Sequence, residues 1–213
     1  MISNTVAIAE SVAERTLTAD ELEQGRLFLQ QAESGLTGAI KGLSEAQWAF
    51  RPAPDKWSIA QIVEHVMFVQ ERVLGPVREQ LANAPAAPGT HDSKVVDDIV
   101  INKFPNRLSK FRSPFDPVGD LVRSEAHERF LKNCRALEDF LESTPDLREH
   151  ALESVPLKAV SKGAYEWMDG YQWILAAAAH TDRHTKQVLE VQAMPNFPEI
   201  DEQRHSFDSW PRE

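Results

Sequence analysis

His180 and His184 stand four residues apart in "AAAAHTDRHTKQV", a stretch that reads as a helix, so one turn stacks the two imidazoles on a single face. Such a pair is half of a metal site: two rings need a third ligand from elsewhere in the chain. The zinc-protease arrangement also requires a glutamate directly after the first histidine as general base. Thr181 stands there, which excludes that mechanism and leaves only the spacing. His65 is the candidate third ligand. It follows Ser58 by seven residues, and its neighbours Ile62 and Val69 put it beside an apolar stripe. A lone histidine in that position is ordinarily a core residue satisfied by a carbonyl. The combination changes the expectation, because His65 and the pair meet if their two helices face each other. Three imidazoles leave one coordination position open for water or substrate, as in catalytic rather than structural sites. Zinc, nickel or iron suits this ligand set better than magnesium or calcium.

Other side chains are candidates for supporting parts. Gln187, one turn past His184, is placed to orient an imidazole through its free nitrogen. His150, in the loop before the last helix, is a candidate to fold over the mouth of the site and touch substrate. Trp57 is a candidate pocket wall, with Trp48, Trp167 and Trp173, although packing at helix ends is the commoner use of such residues. His91, His127 and His205 are expected to face solvent. Cys134 falls on an apolar stripe and reads as a small buried side chain, not a nucleophile. Asp182 and Arg183 point away from the face shared by the pair, and Glu64 away from that of His65.

Positioning these residues falls to helices. Thr18 with Glu21 is a capping box opening the first helix, and Leu22, Leu29, Leu36 and Leu43 recur behind it at heptad spacing, with Gly42 as a stop. The segment "LSEAQWAFRPAPDKWS" reads as a loop. Ser58 and Gln61 open the second helix, whose stripe is Ile62, Val66, Val69 and Val73. Residues 83–119 form a long proline-rich connection with a short helix near 95–102, and its length lets the second and third helices run parallel. The third helix starts near Ser124, carries Phe130, Cys134, Leu137 and Leu141, and stops before Pro145. Asp169 and Gln172 open a fourth helix that ends near Ala193. No strand-like alternation of useful length appears. The fold class expected is all-α, a four-helix bundle with its site between facing helices.

At 213 residues the chain suits one domain, 1–213, with a short N-terminal extension (1–17) and a polar tail (199–213). It carries 33 acidic against 23 basic residues, a formal charge of −10, which repels phosphate backbones and anionic lipid surfaces. No nucleic-acid partner is expected. The longest apolar run, 173–179, is far short of a membrane span, and acids stand in the N-terminus where a signal peptide has a basic start, so a cytoplasmic location is expected. A single cysteine excludes an internal disulfide, leaving metal ligation to histidines and carboxylates.

Two segments in order, "RPAPDKWSIAQIVEH" and "MDGYQWILAAAAHTDRHTKQVLEV", resemble the DinB/YfiT-like family of metalloenzymes: a proline-containing loop, a Trp-Ser helix start and first histidine, then a last helix with paired histidines. The likeness runs from about Leu22 to Pro198. It implies a four-helix bundle with one divalent metal held by His65, His180 and His184. It also implies one of two chemistries found in the family, transfer by low-molecular-weight thiols or hydrolysis. The extended middle connection and the tail depart from the shortest members.

The leading expectation is a metal-dependent enzyme acting on a small molecule, transferring a low-molecular-weight thiol cosubstrate to an electrophile after the metal lowers the thiol's pKa. Hydrolysis by the same ion is the close variant. The alternative is non-enzymatic: a metal-stabilised or metal-sensing stress-response bundle, as a homodimer. A structural site usually fills four positions with protein ligands, and the sequence offers three.

Overall fold

The helix starts are fixed by side chains that answer the first orphan amides, and the computed structural model, which describes residues 16–89, 91–107 and 116–199, shows each of the expected capping boxes closed. Helix α1 (Ala19–Ile40) starts where the Thr18 hydroxyl accepts from the Glu21 amide and the Glu21 carboxylate accepts from that of Thr18. Gly42, at φ +75°, turns the chain away just beyond it. The expected loop that follows contains a short helix, α2 (Glu45–Trp48), opened by a further box of Ser44 with Gln47. That corrects the reading of residues 43–58 as loop throughout: two residues of capping chemistry hold one turn ahead of the prolines. Helix α3 (Ile59–Arg72) continues through a π-helical turn (Val73–Val77) into α4 (Arg78–Leu81). Pro76 lies in the π-turn, where its missing amide and its ring force the wider winding.

In the long connection, α5 (Ser93–Lys103) is capped by Asp92. Helix α6 (Arg123–Ser143) follows, then β1 (Ala151–Glu153), α7 (Val155–Val160), β2 (Trp167–Asp169) and α8 (Gly170–Gln192). β1 and β2 pair antiparallel with Ala151 opposite Asp169. Each strand of this small sheet has three residues, too few for alternation to show in sequence, and the helical bundle class stands. The N-terminal extension and the tail, apart from Thr16, Leu17 and Glu199, lie outside the described residues, as does His205.

Helices α1 and α3 each pack on both α6 and α8, making a four-membered ring. Side-chain bonds give the directions. At one end Gln192 donates to the Ala39 carbonyl, and at the other the Tyr171 hydroxyl donates to that of Glu21, so α1 and α8 are parallel. Gln61 reaches Pro117 ahead of α6 while Glu71 pairs with Arg129 within it, so α3 and α6 are also parallel, as the long connection allows. The His127 ring lies 3.3 Å from the Thr37 hydroxyl, setting the start of α6 beside the end of α1. The two parallel pairs therefore oppose each other, and α3 meets α8 antiparallel.

Two apolar clusters fill the ring. One gathers Leu29, Leu137, Tyr171 and Ile174 to Ala179; the other gathers Leu36, Ile62, Val66, Phe130 and Val188. On α8 the residues between them, 180–187, are largely polar, and the buried hydroxyls there are satisfied locally: Thr181 donates to Ala177 and Thr185 to Thr181. A polar layer thus crosses the core at the level of the histidine pair. At the far end, Arg148 is buried among Asp97, Asp169 and Glu21. His91, expected in solvent, is 4% exposed at its side chain, with Nε2 3.7 Å from Asp169. His127 is half-buried rather than solvent-facing. Among the described residues, no helix is long and apolar enough to cross a membrane.

Candidate metal centre

His65 sits on the second turn of α3, and His180 and His184 lie near the middle of α8. The apolar stripe containing Ile62 and Val66 presses α3 against its neighbours and carries His65 inward with it, leaving the residue 7% exposed. Because α3 and α8 are adjacent in the ring, the three imidazoles meet. One ligand atom from each lies within 4.8 Å of the others. His65 Nε2 and His180 Nε2 are 3.1 Å apart, and ring centroids are 4.9 Å apart for His65 with each partner and 4.3 Å for the pair itself. Tetrahedral ligands at 2.0–2.1 Å from a zinc ion would stand about 3.3 Å from one another. The His65–His180 separation is thus close to the spacing an ion requires, and all three donors fall within 4.8 Å of one another.

The electrostatics fit a cation as well. Burial pushes the His65 imidazole down to about 4. Burial, followed by the neighbouring His65, pushes His184 down to about 3, although its bond to Gln187 works the other way. His180 is lowered well below its ordinary value, by burial first and then by the other two rings. All three are neutral near pH 7, so their lone pairs are available without loss of a proton. His180 Nδ1 is buried with no hydrogen-bond partner among the described residues, an expense that a hydrophobic packing role would not explain. No cysteine or carboxylate joins the three among the described residues. Three neutral nitrogens from one polar layer are a donor set for a borderline divalent ion.

Two of the supporting candidates lie at the cluster. Gln187 Oε1 is 2.8 Å from His184 Nδ1, and the half-buried Trp57 ring is 4.9 Å from His65, tilted by 53°. His150 is placed elsewhere: its Nδ1 is 2.7 Å from the Ala84 carbonyl and it bridges Ala86, so it is not brought to the three rings. Trp48 is a packing residue, buried with its indole donating to Leu121, and Trp173 packs against the apolar cluster around Tyr171. Asp182 pairs with Lys186 on the outer face, while Arg183 donates to the Asn106 carbonyl. Cys134 is buried, its thiol pushed up to about 12 by desolvation first, as a core side chain should be. The participant missed in sequence is Arg107, whose guanidinium donates to Gln187 and Glu190. No periodicity points to it, since it lies just past the end of α5, at the start of an irregular connection.

That connection is tied to both site helices, by Arg107 to α8 and by Gly119 to α3, where the Gly119 amide donates to Glu64. Gly119 takes φ +77°, and an added Cβ would lie 2.5 Å from Gln61 Cγ and 3.2 Å from the Gln61 amide nitrogen. Gly119→Ala should therefore destabilise the protein by about 2 kcal/mol, read as a lower urea midpoint at unchanged slope. An unchanged midpoint would show that the segment is not held against α3 in solution.

The sequence profile of the DinB superfamily matches residues 29–188, a span that includes all three histidines. The chain belongs to that superfamily. Among curated proteins it is 22% identical over 154 residues to the uncharacterised protein YuaE of Bacillus subtilis (strain 168), covering 71% of this chain and 87% of YuaE. Among solved structures it resembles YfiT from Bacillus subtilis, described as a probable metal-dependent hydrolase with an unusual four-helix bundle topology. The TM-score is 0.53 at 13% identity, over 84% of this chain and 89% of YfiT. At that identity the likeness is one of fold, a four-helix bundle.

Proposed function

We propose that this chain is a divalent-metal-dependent enzyme acting on a small molecule, with His65, His180 and His184 as the protein ligands. The observation that carries the proposal is the meeting of three neutral imidazoles within 4.8 Å, with no fourth histidine, cysteine or carboxylate among the described residues. A structural site ordinarily saturates the ion with four protein ligands, and this donor set stops at three. When bound, a divalent ion supplies Lewis acidity that makes a nucleophile available at neutral pH. Gln187 holds the His184 ring by its other nitrogen, and the Trp57 ring lies against His65 as an apolar wall on that side.

Hydrolysis of a small ester or amide is the reaction best supported, because the structural neighbour YfiT is described as a probable metal-dependent hydrolase. Transfer of a low-molecular-weight thiol is the second reading. It is favoured by the lack of any carboxylate in the cluster to deprotonate water, since a thiol ionises far more readily and needs no such base. A panel assay separates them. Protein reconstituted with zinc, nickel or iron is offered esters and amides in one arm and common thiols with electrophiles in the other. Activity in either arm should fall to background with a chelator and return when the metal is restored. Turnover that survives exhaustive chelation would overturn the proposal. Thiol consumption without ester or amide cleavage would replace hydrolysis by transfer.

A further inference from the structure

We infer that Arg107 is a positioning residue for the histidine centre, deciding through Gln187 which ring nitrogen of His184 keeps its lone pair. The inference rests on the reading of His184 as a metal ligand. A guanidinium donates and never accepts. Arg107 gives Nε and Nη2 to the two Glu190 oxygens, at 3.1 and 2.8 Å, and this two-point pairing aims Nη1 at Gln187 Oε1, 3.0 Å away. A primary amide is nearly isosteric under a half-turn, so Gln187 alone could offer His184 either its oxygen or its NH₂ group. Facing a group that only donates, it must turn its oxygen toward Arg107. The same oxygen lies 2.8 Å from His184 Nδ1. An oxygen that only accepts makes Nδ1 the protonated nitrogen, and the lone pair is left on Nε2. Without Arg107 the amide is free to present NH₂ to Nδ1, which places the proton on Nε2 and blocks it as a ligand. The long connection between α5 and α6 thus supplies a residue that the bundle helices do not.

The test reads the tautomer directly, in metal-free protein, from two-bond proton–nitrogen correlations of ¹⁵N-labelled histidine. Wild type should show His184 protonated at Nδ1. Arg107→Met should move it toward a mixture, and zinc affinity should fall about 10-fold. Adding Gln187→Glu to that variant should restore both, because a carboxylate can only accept. Arg107 is 28% exposed at its side chain, and Glu190→Gln, on the surface, is a milder second variant with a smaller shift in the same direction. An unchanged tautomer in both Arg107→Met and Glu190→Gln, or a change that Gln187→Glu does not reverse, would overturn the inference. A tautomer that switches while zinc affinity stays constant would uphold the relay and count instead against His184 as a ligand.

Discussion

Replacing His184 with alanine is expected to weaken zinc binding by roughly 10²–10³-fold, with helical content preserved. The size follows from ligand accounting: four-ligand zinc peptides bind with about 10–16 kcal/mol, so one ligand carries roughly 3–4 kcal/mol, two to three powers of ten. His65→Ala and His180→Ala should lose comparable affinity, since the donors of all three residues lie within 4.8 Å of one another and no further candidate ligand joins them among the described residues. His127→Ala and His150→Ala are the controls. Their rings are engaged with Thr37 and with the Ala84 carbonyl, and their affinities should be those of wild type. Competition against a chelating dye measures the series, with circular dichroism as the check on folding. Equal affinities across all five variants would remove the centre.

The largest effect on stability should come from Arg148. Its side chain is 2% exposed, and its guanidinium bonds Asp97 at 2.6 and 3.1 Å, Asp169 at 2.9 Å and Glu21 at 2.8 Å while lying over the Tyr171 ring at 4.6 Å. These partners come from α1, α5 and the cap of α8, so one cation ties three helices together. Removing it leaves buried carboxylates without a counter-charge, and such losses cost about 3–5 kcal/mol. Arg148→Met should lower the unfolding free energy by that amount in urea. Burial is the main influence on Asp97, raising its carboxyl against the pull of Arg148, so Asp97→Asn in the Arg148→Met background should recover part of the loss. Zinc affinity should change little, because Asp169 and His180 are eleven residues apart along α8, about 16 Å of helix. A loss below about 1 kcal/mol would mean that the carboxylates find water when the arginine is gone.

The contrast between these two centres explains what the sequence made legible. The candidate metal centre is built from an i,i+4 pair and a histidine on a periodic helix, and periodicity fixes which way such residues face. The capping boxes at Thr18, Ser58 and Asp169 mark starts for the same reason, as local chemistry with a fixed offset. The Arg148 cluster joins residues 21, 97, 148 and 169, with no offset to read, and it appears only once the chain has folded. His91 reads as solvent-facing from its place in the proline-rich connection, yet the fold sets its ring against Asp169. Helix α2 was hidden by the prolines that follow it, although Ser44 with Gln47 obeys the same rule as the other boxes. Gln187 was legible as a neighbour of His184, whereas Arg107, 80 positions earlier, was not.

X-ray absorption at the zinc edge of the reconstituted wild-type protein tests the central claim most directly. The account predicts one ion per chain with three imidazole nitrogens at about 2.0–2.1 Å and a single light non-protein ligand in the fourth position. Fewer than three imidazoles, a sulfur ligand, or a first shell closed by four protein ligands would contradict it.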